Sequence, residues 1–389
     1  MERFEGVDYM DFDSLLAEEE VLIRDTVRGF VEDEVVPVIE EEFSEERSPH
    51  LWAEKLASLG LFGSYLPEEY GGAGANNVAY GLICQELERG DSGLRSFVSV
   101  QSSLVMWPIF AYGSQEQKET YLPPMARGEV IGCFGLTEPD YGSNPAGMIT
   151  RAAEGEDHYL LDGAKMWITN GSIADVSLVW AKLDGEVRGF LVHKEDEGFS
   201  ARRQRGKHSL KASDTSELVL EGCRIPKDRI LPAVKGLRGP LSCLTQARYG
   251  IAWGTIGSAM AVYDVALRYS RERIQFDRPI ARFQLVQQRL VRMITEITKS
   301  QFMNLQVGRL KDRDEASPAQ VSMAKMNGCR VARESARLAR ETLGANGITG
   351  EYPVMRHLMN IESVYTYEGT DDMHTLIVGQ EITGSQAFT

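Results

Sequence analysis

The chain has 389 residues, 43% apolar and 25% charged, the make-up of an ordinary folded protein of two or three domains. Its net charge of −15 is concentrated: residues 1–48 hold 17 acids and 4 bases, net −13, and the rest is nearly balanced at −2. There is no basic stripe for nucleic acid, no apolar run near the ~18–20 residues of a membrane span, and no C-x-x-C among five scattered cysteines to suggest a disulfide or zinc framework.

Met1-Glu2-Arg3-Phe4-Glu5 has neither a signal-peptide nor a transit-peptide pattern. The expected setting is reducing: bacterial cytoplasm, or mitochondrial matrix for a processed eukaryotic chain. Helical pattern fills the first third. Asp13 or Ser14 is placed to cap a helix carrying Ile23, Val27, Phe30 and Val31, with exit or kink at Pro37. Trp52, Leu56, Leu59 and Leu61 predict a second helix ending at Gly60 or Gly63. Leu66-Pro67-Glu68-Glu69-Tyr70-Gly71-Gly72 reads as a loop, and helical apolar content returns over 78–87 and 99–112.

Near residue 131 the pattern changes to strands. His158–Leu161 and Lys165–Thr169 flank Asp162-Gly163, and Val176–Lys182 and Arg188–Val192 flank Asp184-Gly185, both read as hairpins. Leu218, Leu220 and Ile225-Pro226 predict a further strand. Three long amphipathic stretches follow at 241–271, 282–311 and 318–343, with a shorter one at 371–383, and Pro279 and Pro318 stand at the breaks. They predict an antiparallel four-helix bundle. The expected class is α+β, mainly α: a helical domain over 1–130, a β-barrel or sandwich over 131–238 and a helical bundle over 239–389.

No G-x-G-x-x-G follows a predicted strand, and P-loop, G-x-S-x-G and H-E-x-x-H motifs are lacking. The six histidines are dispersed, so no metal site is expected. Three segments carry more. Phe134-Gly135-Leu136-Thr137-Glu138-Pro139-Asp140-Tyr141-Gly142-Ser143 offers amides and hydroxyls to a heteroaromatic ring or phosphate. Trp167-Ile168-Thr169-Asn170 sets an indole beside a hydroxyl. In Tyr365-Thr366-Tyr367-Glu368-Gly369-Thr370 a carboxylate stands among aromatics, whose desolvation raises its pKa toward that of a useful general base.

In order and kind these segments resemble the flavin and substrate signatures of the acyl-CoA dehydrogenase family, over roughly 15–389. Arg271-Glu272-Arg273-Ile274-Gln275-Phe276 with Gln284 is similar to the family's segment that reaches FAD in a neighbouring subunit. Glu341-Thr342-Leu343-Gly344-Ala345-Asn346-Gly347 is similar to its glycine turn over the FAD diphosphate, with Glu341 where many members carry Gln. The resemblance implies FAD contacts from Phe134, Leu136, Thr137, Gly142, Ser143, Trp167, Ile168, Thr169, Thr370 and Asp372. Across a subunit boundary it implies Arg273, Phe276, Gln284, Gln287, Glu341, Leu343, Gly344 and Gly347. A homotetramer and an electron-transfer flavoprotein partner follow from the same resemblance.

Within the family, Asp91-Ser92-Gly93-Leu94-Arg95-Ser96 resembles the branch acting on glutaryl-CoA, as do Gln246-Ala247-Arg248-Tyr249-Gly250 and the tail Gly384-Ser385-Gln386-Ala387-Phe388-Thr389. A dicarboxylic acyl chain buries a second carboxylate, which needs a fixed cation with paired donors. Arg95 is expected there, with Glu88 on the same helix face if the helix continues, and Tyr367 beside them. Glu368 is expected to take the α-proton while a β-hydride goes to flavin. The Glu368 N–H and an FAD hydroxyl would polarise the thioester. Ser96, Ser143, Arg248 and Gly369 complete the expected acyl-CoA contacts. Gly250, Gly254 and Gly257 read as close helix packing. The expected products are crotonyl-CoA and CO₂. The alternatives are a non-decarboxylating enzyme that stops at glutaconyl-CoA, another short-chain member, or a flavin-free scaffold that keeps the fold.

Overall fold

The first helix begins later than the apolar pattern suggests. In the computed structural model, which describes residues 3–388, Phe12–Leu15 is a 3-10 turn and α1 runs Glu18–Phe30. Met1, Glu2 and Thr389, at the ends of the acidic segment and the tail, lie outside the described residues. Neither Asp13 nor Ser14 caps α1. Asp13 pairs with Arg24, while the Glu20 side chain reaches back to the Ala17 N–H (2.8 Å). After α1 a wide turn over Val31–Val35 leads past Pro37 into α2, Ile39–Ser44. The second predicted helix is shorter than its pattern, a 3-10 turn at Pro49–Trp52 and then α3, Ala53–Ser58.

Next come α4, Asn77–Gly90, and α5, Ser92–Ser99, which continues through a wide-turn segment, Val100–Met106, into α6, Trp107–Tyr112. The helix does not continue from Glu88 to Arg95. Asp91 is extended (φ −162°, ψ 143°) and breaks it into a corner. Its carboxylate is fully buried and three donors close on it: Gly93 N–H (2.7 Å), Arg356 Nη1 (2.6 Å) and Asn360 Nδ2 (2.8 Å), and Arg356 Nη1 also reaches Gly90 O (2.8 Å) to tie the end of α4. Then α7, Gln115–Ala126, forms despite Pro123-Pro124, started by reciprocal Ser114 and Gln117 caps. The two prolines hid it from a pattern reading.

The middle region is a seven-stranded sheet: β1 Gly132–Gly135, β2 Arg151–Glu154, β3 His158–Thr169, β4 Val176–Leu183, β5 Glu186–His193, β6 Phe199–Arg203 and β7 Thr215–Pro226. β4 pairs with β5 on one edge and with β1 and then β2 on the other; the sheet goes on through β3 and β7 to β6. Asp184 (φ 50°) and Gly185 (φ 83°) turn the β4–β5 hairpin as expected. Asp162-Gly163 does not turn. It is a bulge within one long strand, where β3 slips register against β7 and the Asp162 carboxylate accepts the Gly222 N–H (2.8 Å).

The last region has α8 Arg238–Glu272, a small ribbon of β8 Ile274–Gln275 and β9 Arg278–Pro279, α9 Gln284–Asp312, α10 Pro318–Leu343, α11 Val354–Thr366 and α12 Asp371–Thr383. The four expected helices are present, and α11 is a fifth. The protein is thus mainly helical around a middle β-region. By length and composition α8 could cross a bilayer, which a search for unbroken apolar runs overlooks, but most of it is buried inside the protein against α4 and α10. Gly257 lies hard against the Gln85 carbonyl, and Gly81 on α4 against the Trp253 ring, so these two helices touch nearly backbone to backbone.

Removing the carboxylate in Asp91→Ala would strip the buried Arg356 of its inner carboxylate, leaving it only the half-exposed Glu40 (2.9 Å), and would leave the Gly93 N–H and Asn360 Nδ2 without their acceptor. We expect a loss of about 3–5 kcal/mol, read as a lower denaturant midpoint at fixed protein concentration. Arg127→Ala, which breaks an exposed pair with Glu129, should change it by no more than about 1 kcal/mol.

Candidate active site

The turn between α11 and α12 carries the candidate base. Tyr367 leaves the helix in extended conformation, and then Glu368 (φ 53°) and Gly369 (φ 103°) both adopt positive φ before Thr370 caps α12. A left-handed Glu is disfavoured by about 1–2 kcal/mol and needs outside support. Arg248 Nε on α8 donates to Glu368 O (2.7 Å), and Lys325 Nζ on α10 donates to Tyr367 O (3.1 Å) and Gly369 O (2.8 Å). Residue 369 has to be glycine: a Cβ there would meet the His374 ring at 3.0 Å and Arg248 at 3.2 Å.

Glu368 Oε2 has no hydrogen-bond partner among the described residues. Burial raises its pKa above the usual carboxylate value, and the charges of Arg95, Lys325 and Arg248 offset only part of that. His374, buried below the turn, is pushed down to about 3 by desolvation and by Lys325 and Arg248, so it is neutral.

Beside the base is a buried ionic cluster. Arg95 Nε donates to Glu88 Oε2 (2.6 Å), Glu88 Oε1 accepts from Ser92 Oγ (3.0 Å), and Arg95 Nη2 donates to the Tyr367 hydroxyl. Arg95 Nη1 is buried without a partner among the described residues. Burial works against the Arg95 charge, but Glu88 more than restores it and the guanidinium stays cationic. The pair bridges the Asp91 corner from two helices, and does not share one helix face. Gly254 has a role beyond helix packing, because a Cβ there would overlap the Glu88 carboxylate and crowd Arg95 Nε at 3.2 Å.

These groups border a cavity of about 2150 Å³, well above the ~300–1,000 Å³ of a single small-ligand pocket. Ser96, Tyr367, Glu368, Gly369, Thr370, Arg248 and Ser143 line it, while Arg95 and Glu88 lie one layer behind Tyr367. Another wall is Phe134, Leu136, Thr137 and Gly142 with Trp167, Ile168 and Thr169. A second register slip in β3, between Lys165 and Ile168, gives Trp167 a positive φ (64°) and turns its indole outward, 63% exposed. The facing loop is held from inside. Lys165 Nζ donates to Leu136 O (3.1 Å) and Glu138 Oε1 (2.9 Å), and Glu138 accepts the Ile149 and Thr150 N–H groups (2.7 and 2.9 Å).

The remaining expected cofactor residues are elsewhere. Arg273, Phe276, Gln284, Gln287, Glu341, Leu343, Gly344 and Gly347 do not line the cavity of their own protomer. They gather at one end of the bundle, where Arg289 joins Glu341 (3.5 Å). Phe276 is 86% exposed, whereas the Leu343 side chain belongs to the core. Asp372 is exposed on α12, outside the lining.

Models of the acyl-CoA dehydrogenase N-terminal, middle and C-terminal domains match residues 17–129, 133–223 and 234–383. The chain belongs to the acyl-CoA dehydrogenase family. Family membership carries acyl-CoA dehydrogenase activity and an FAD cofactor. A glutaryl-CoA dehydrogenase from Mycobacterium smegmatis is 53% identical with a TM-score of 0.95, covering 97% of each chain. A second structure of a glutaryl-CoA dehydrogenase from that organism, in complex with FADH2, is 48% identical with a TM-score of 0.97, covering 98% of this chain and 99% of the other. The human mitochondrial short-chain specific acyl-CoA dehydrogenase is 32% identical over 370 residues, 93% of this chain and 90% of that protein.

The cavity walls suit FAD: an outward indole, hydroxyls at Thr137 and Ser143 in the loop and at Thr169 at the end of β3, and room for a second large ligand. Sequence reasoning missed Lys325, His374 and Lys165. Each reads as an ordinary helix or strand residue, and only burial marks it out. Gly254→Ala is expected to destabilise the protein by roughly 1–3 kcal/mol through overpacking, measured by chemical denaturation. Gly379→Ala, on a helix with open space around it, should not destabilise it.

Proposed function

We propose that this acyl-CoA dehydrogenase oxidises and decarboxylates glutaryl-CoA to crotonyl-CoA and CO₂, passing electrons to an electron-transfer flavoprotein. The observation that supports this most directly is Arg95: a buried guanidinium beside the base, with one nitrogen lacking a partner among the described residues. A monocarboxylic acyl chain brings nothing that would use that donor, whereas the distal carboxylate of glutaryl-CoA does.

FAD supplies the acceptor for the β-hydrogen, which leaves as hydride. Glu368 takes the α-proton at its unpartnered Oε2 and keeps it out of bulk water. Arg248 and Ser143 bind the CoA portion, and Arg95 with Tyr367 orients the distal carboxylate. Loss of CO₂ from glutaconyl-CoA then breaks the bond between the γ-carbon and that carboxylate, and the electron pair left on carbon takes a proton from Glu368. Glu88 shares the Arg95 charge, so the departing carboxylate is not held so tightly that it cannot leave as a neutral molecule. Arg273, Phe276, Gln284, Gln287, Glu341 and the turn at Gly344 and Gly347 contact FAD in a neighbouring subunit of a homotetramer. Their common position at an exposed end of the bundle, away from their own cavity, supports this assignment.

Anaerobic glutaryl-CoA added to the yellow holoenzyme should bleach the flavin. Repeated turnover with an electron acceptor should give crotonyl-CoA and CO₂ in near-equal amounts. Accumulation of glutaconyl-CoA without CO₂ would make it the non-decarboxylating enzyme, and a preference for butyryl-CoA would make it a short-chain one.

Because the Glu368 pKa is raised, activity should fall with acidification beginning above the ordinary carboxylate range, as the base becomes protonated. Glu368→Gln should lose ~10²–10⁴-fold in the rate of flavin reduction while still binding acyl-CoA. In Arg95→Met, kcat/KM for glutaryl-CoA should fall by the equivalent of roughly 2–5 kcal/mol. Butyryl-CoA should be affected far less, and an equal loss for both thioesters would assign Arg95 to structure alone.

A further inference from the structure

Three successive carbonyls around the base are each held by a buried cation. Arg248 takes the middle one and Lys325 the two that flank it. Lys325 is 1% exposed and has no carboxylate within ion-pair distance among the described residues, so its ammonium is committed to this turn. Every peptide bond here is trans, which sets C=O and N–H antiparallel across each plane. Holding Tyr367 O toward α10 therefore directs the Glu368 N–H to the opposite side. That N–H donates no hydrogen bond within the described residues.

We propose that Lys325 is the positioning residue of the active-site turn. By fixing the peptide plane that carries the Glu368 N–H and, two planes on, the one after Gly369, while Arg248 holds the plane between them, it presents the Glu368 N–H and the Glu368 carboxylate together to the acyl thioester. This rests on the acyl-CoA dehydrogenase chemistry, in which one group polarises the thioester oxygen and the other removes the adjacent proton. The left-handed conformation of Glu368 brings both groups of one residue to one substrate, and such a backbone holds only if its carbonyls are engaged elsewhere. Lys325 does this without touching substrate, and its charge also favours the ionised base.

The groups facing Glu368 are Glu88 and Cys84 on α4, Arg95 on α5, Arg248 on α8, Lys325 on α10 and Tyr367 in the turn, and those facing Lys325 in addition are Cys329 on α10 and Asp371 and neutral His374 on α12. Removing the Lys325 charge takes away one of three nearby cations, so the proton affinity of Glu368 rises and the acid limb of the rate profile moves to higher pH.

Holoenzymes of Lys325→Met and Lys325→Gln are compared with the wild type on glutaryl-CoA and butyryl-CoA. The thioester preferred by the wild type tests the substrate assignment, and the ratio of variant to wild type on that thioester tests Lys325. We expect Lys325→Met to lose on the order of 10²-fold in kcat, with KM within a few-fold and the acid limb at higher pH. Lys325→Gln, which keeps N–H donors without the charge, should recover much of the rate and retain the shifted limb. Wash-out of α-deuterium from the acyl-CoA, which needs the base and the amide but no hydride transfer, should slow in parallel in Lys325→Met. Wild-type kcat and limb in both variants, or a loss confined to KM and flavin content, would overturn the proposal. Should Lys325→Met fail to fold, the limb in Lys325→Gln decides.

Discussion

The geometry of the site depends on a buried carboxylate at a helix corner. Asp91 caps α5 through the Gly93 N–H and receives Arg356 and Asn360 from α11, so one side chain fixes three helices. Without the corner, Glu88 and Arg95 would be seven residues apart on a straight rod. With it, they face each other across two helices and their charges meet at 2.6 Å. The same anchor sets the direction of α11, whose last turn delivers Tyr367 and Glu368. A charged group with no water around it is stable only when fully hydrogen-bonded, and Asp91 meets that condition with three donors from two elements, α5 and α11.

The middle region reinforces the arrangement. Asn360, already bonded to Asp91, accepts the Leu210 N–H through its other amide atom (2.8 Å), and Ser209 bonds to the α11 backbone. On the opposite side Gln101 joins the α5–α6 run to β1, accepting from Gly132 N–H (2.8 Å) and donating to Val130 O (2.8 Å). The cavity is thus framed by two regions that share buried amide contacts, and neither wall can shift without breaking them.

Much of this was legible in the sequence, and the misses have physical causes. Periodicity located the long helices and the change to strands near residue 131. Asp184-Gly185 turned as expected. Asp162-Gly163 did not, because its strand has partners on both sides and a bulge satisfies more of the backbone than a turn would. The glycine stripe of α8 read as packing, which holds for Gly257, whereas Gly254 makes room for a carboxylate. Glu368 and Arg95 could be picked out through family resemblance. Lys325 could not, since a lysine in an amphipathic helix looks solvated until the fold buries it. The residues at the far end of the bundle show a different gap, because the role proposed for them needs a second subunit and nothing within one chain bears on it.

The size of the cavity has a thermodynamic consequence. A space of about 2150 Å³ through the middle of a 389-residue chain is a core left open for what it binds. Molecules that bind only the folded form deepen its free-energy well as their concentration rises, by about 2.7 kcal/mol at a hundred times Kd. On the scale of the ~5–15 kcal/mol that holds a typical domain together, that is a substantial share. The lifetime of this protein in a cell is therefore coupled to the supply of its ligands, and a shortage of flavin would reduce the number of folded molecules as well as their turnover.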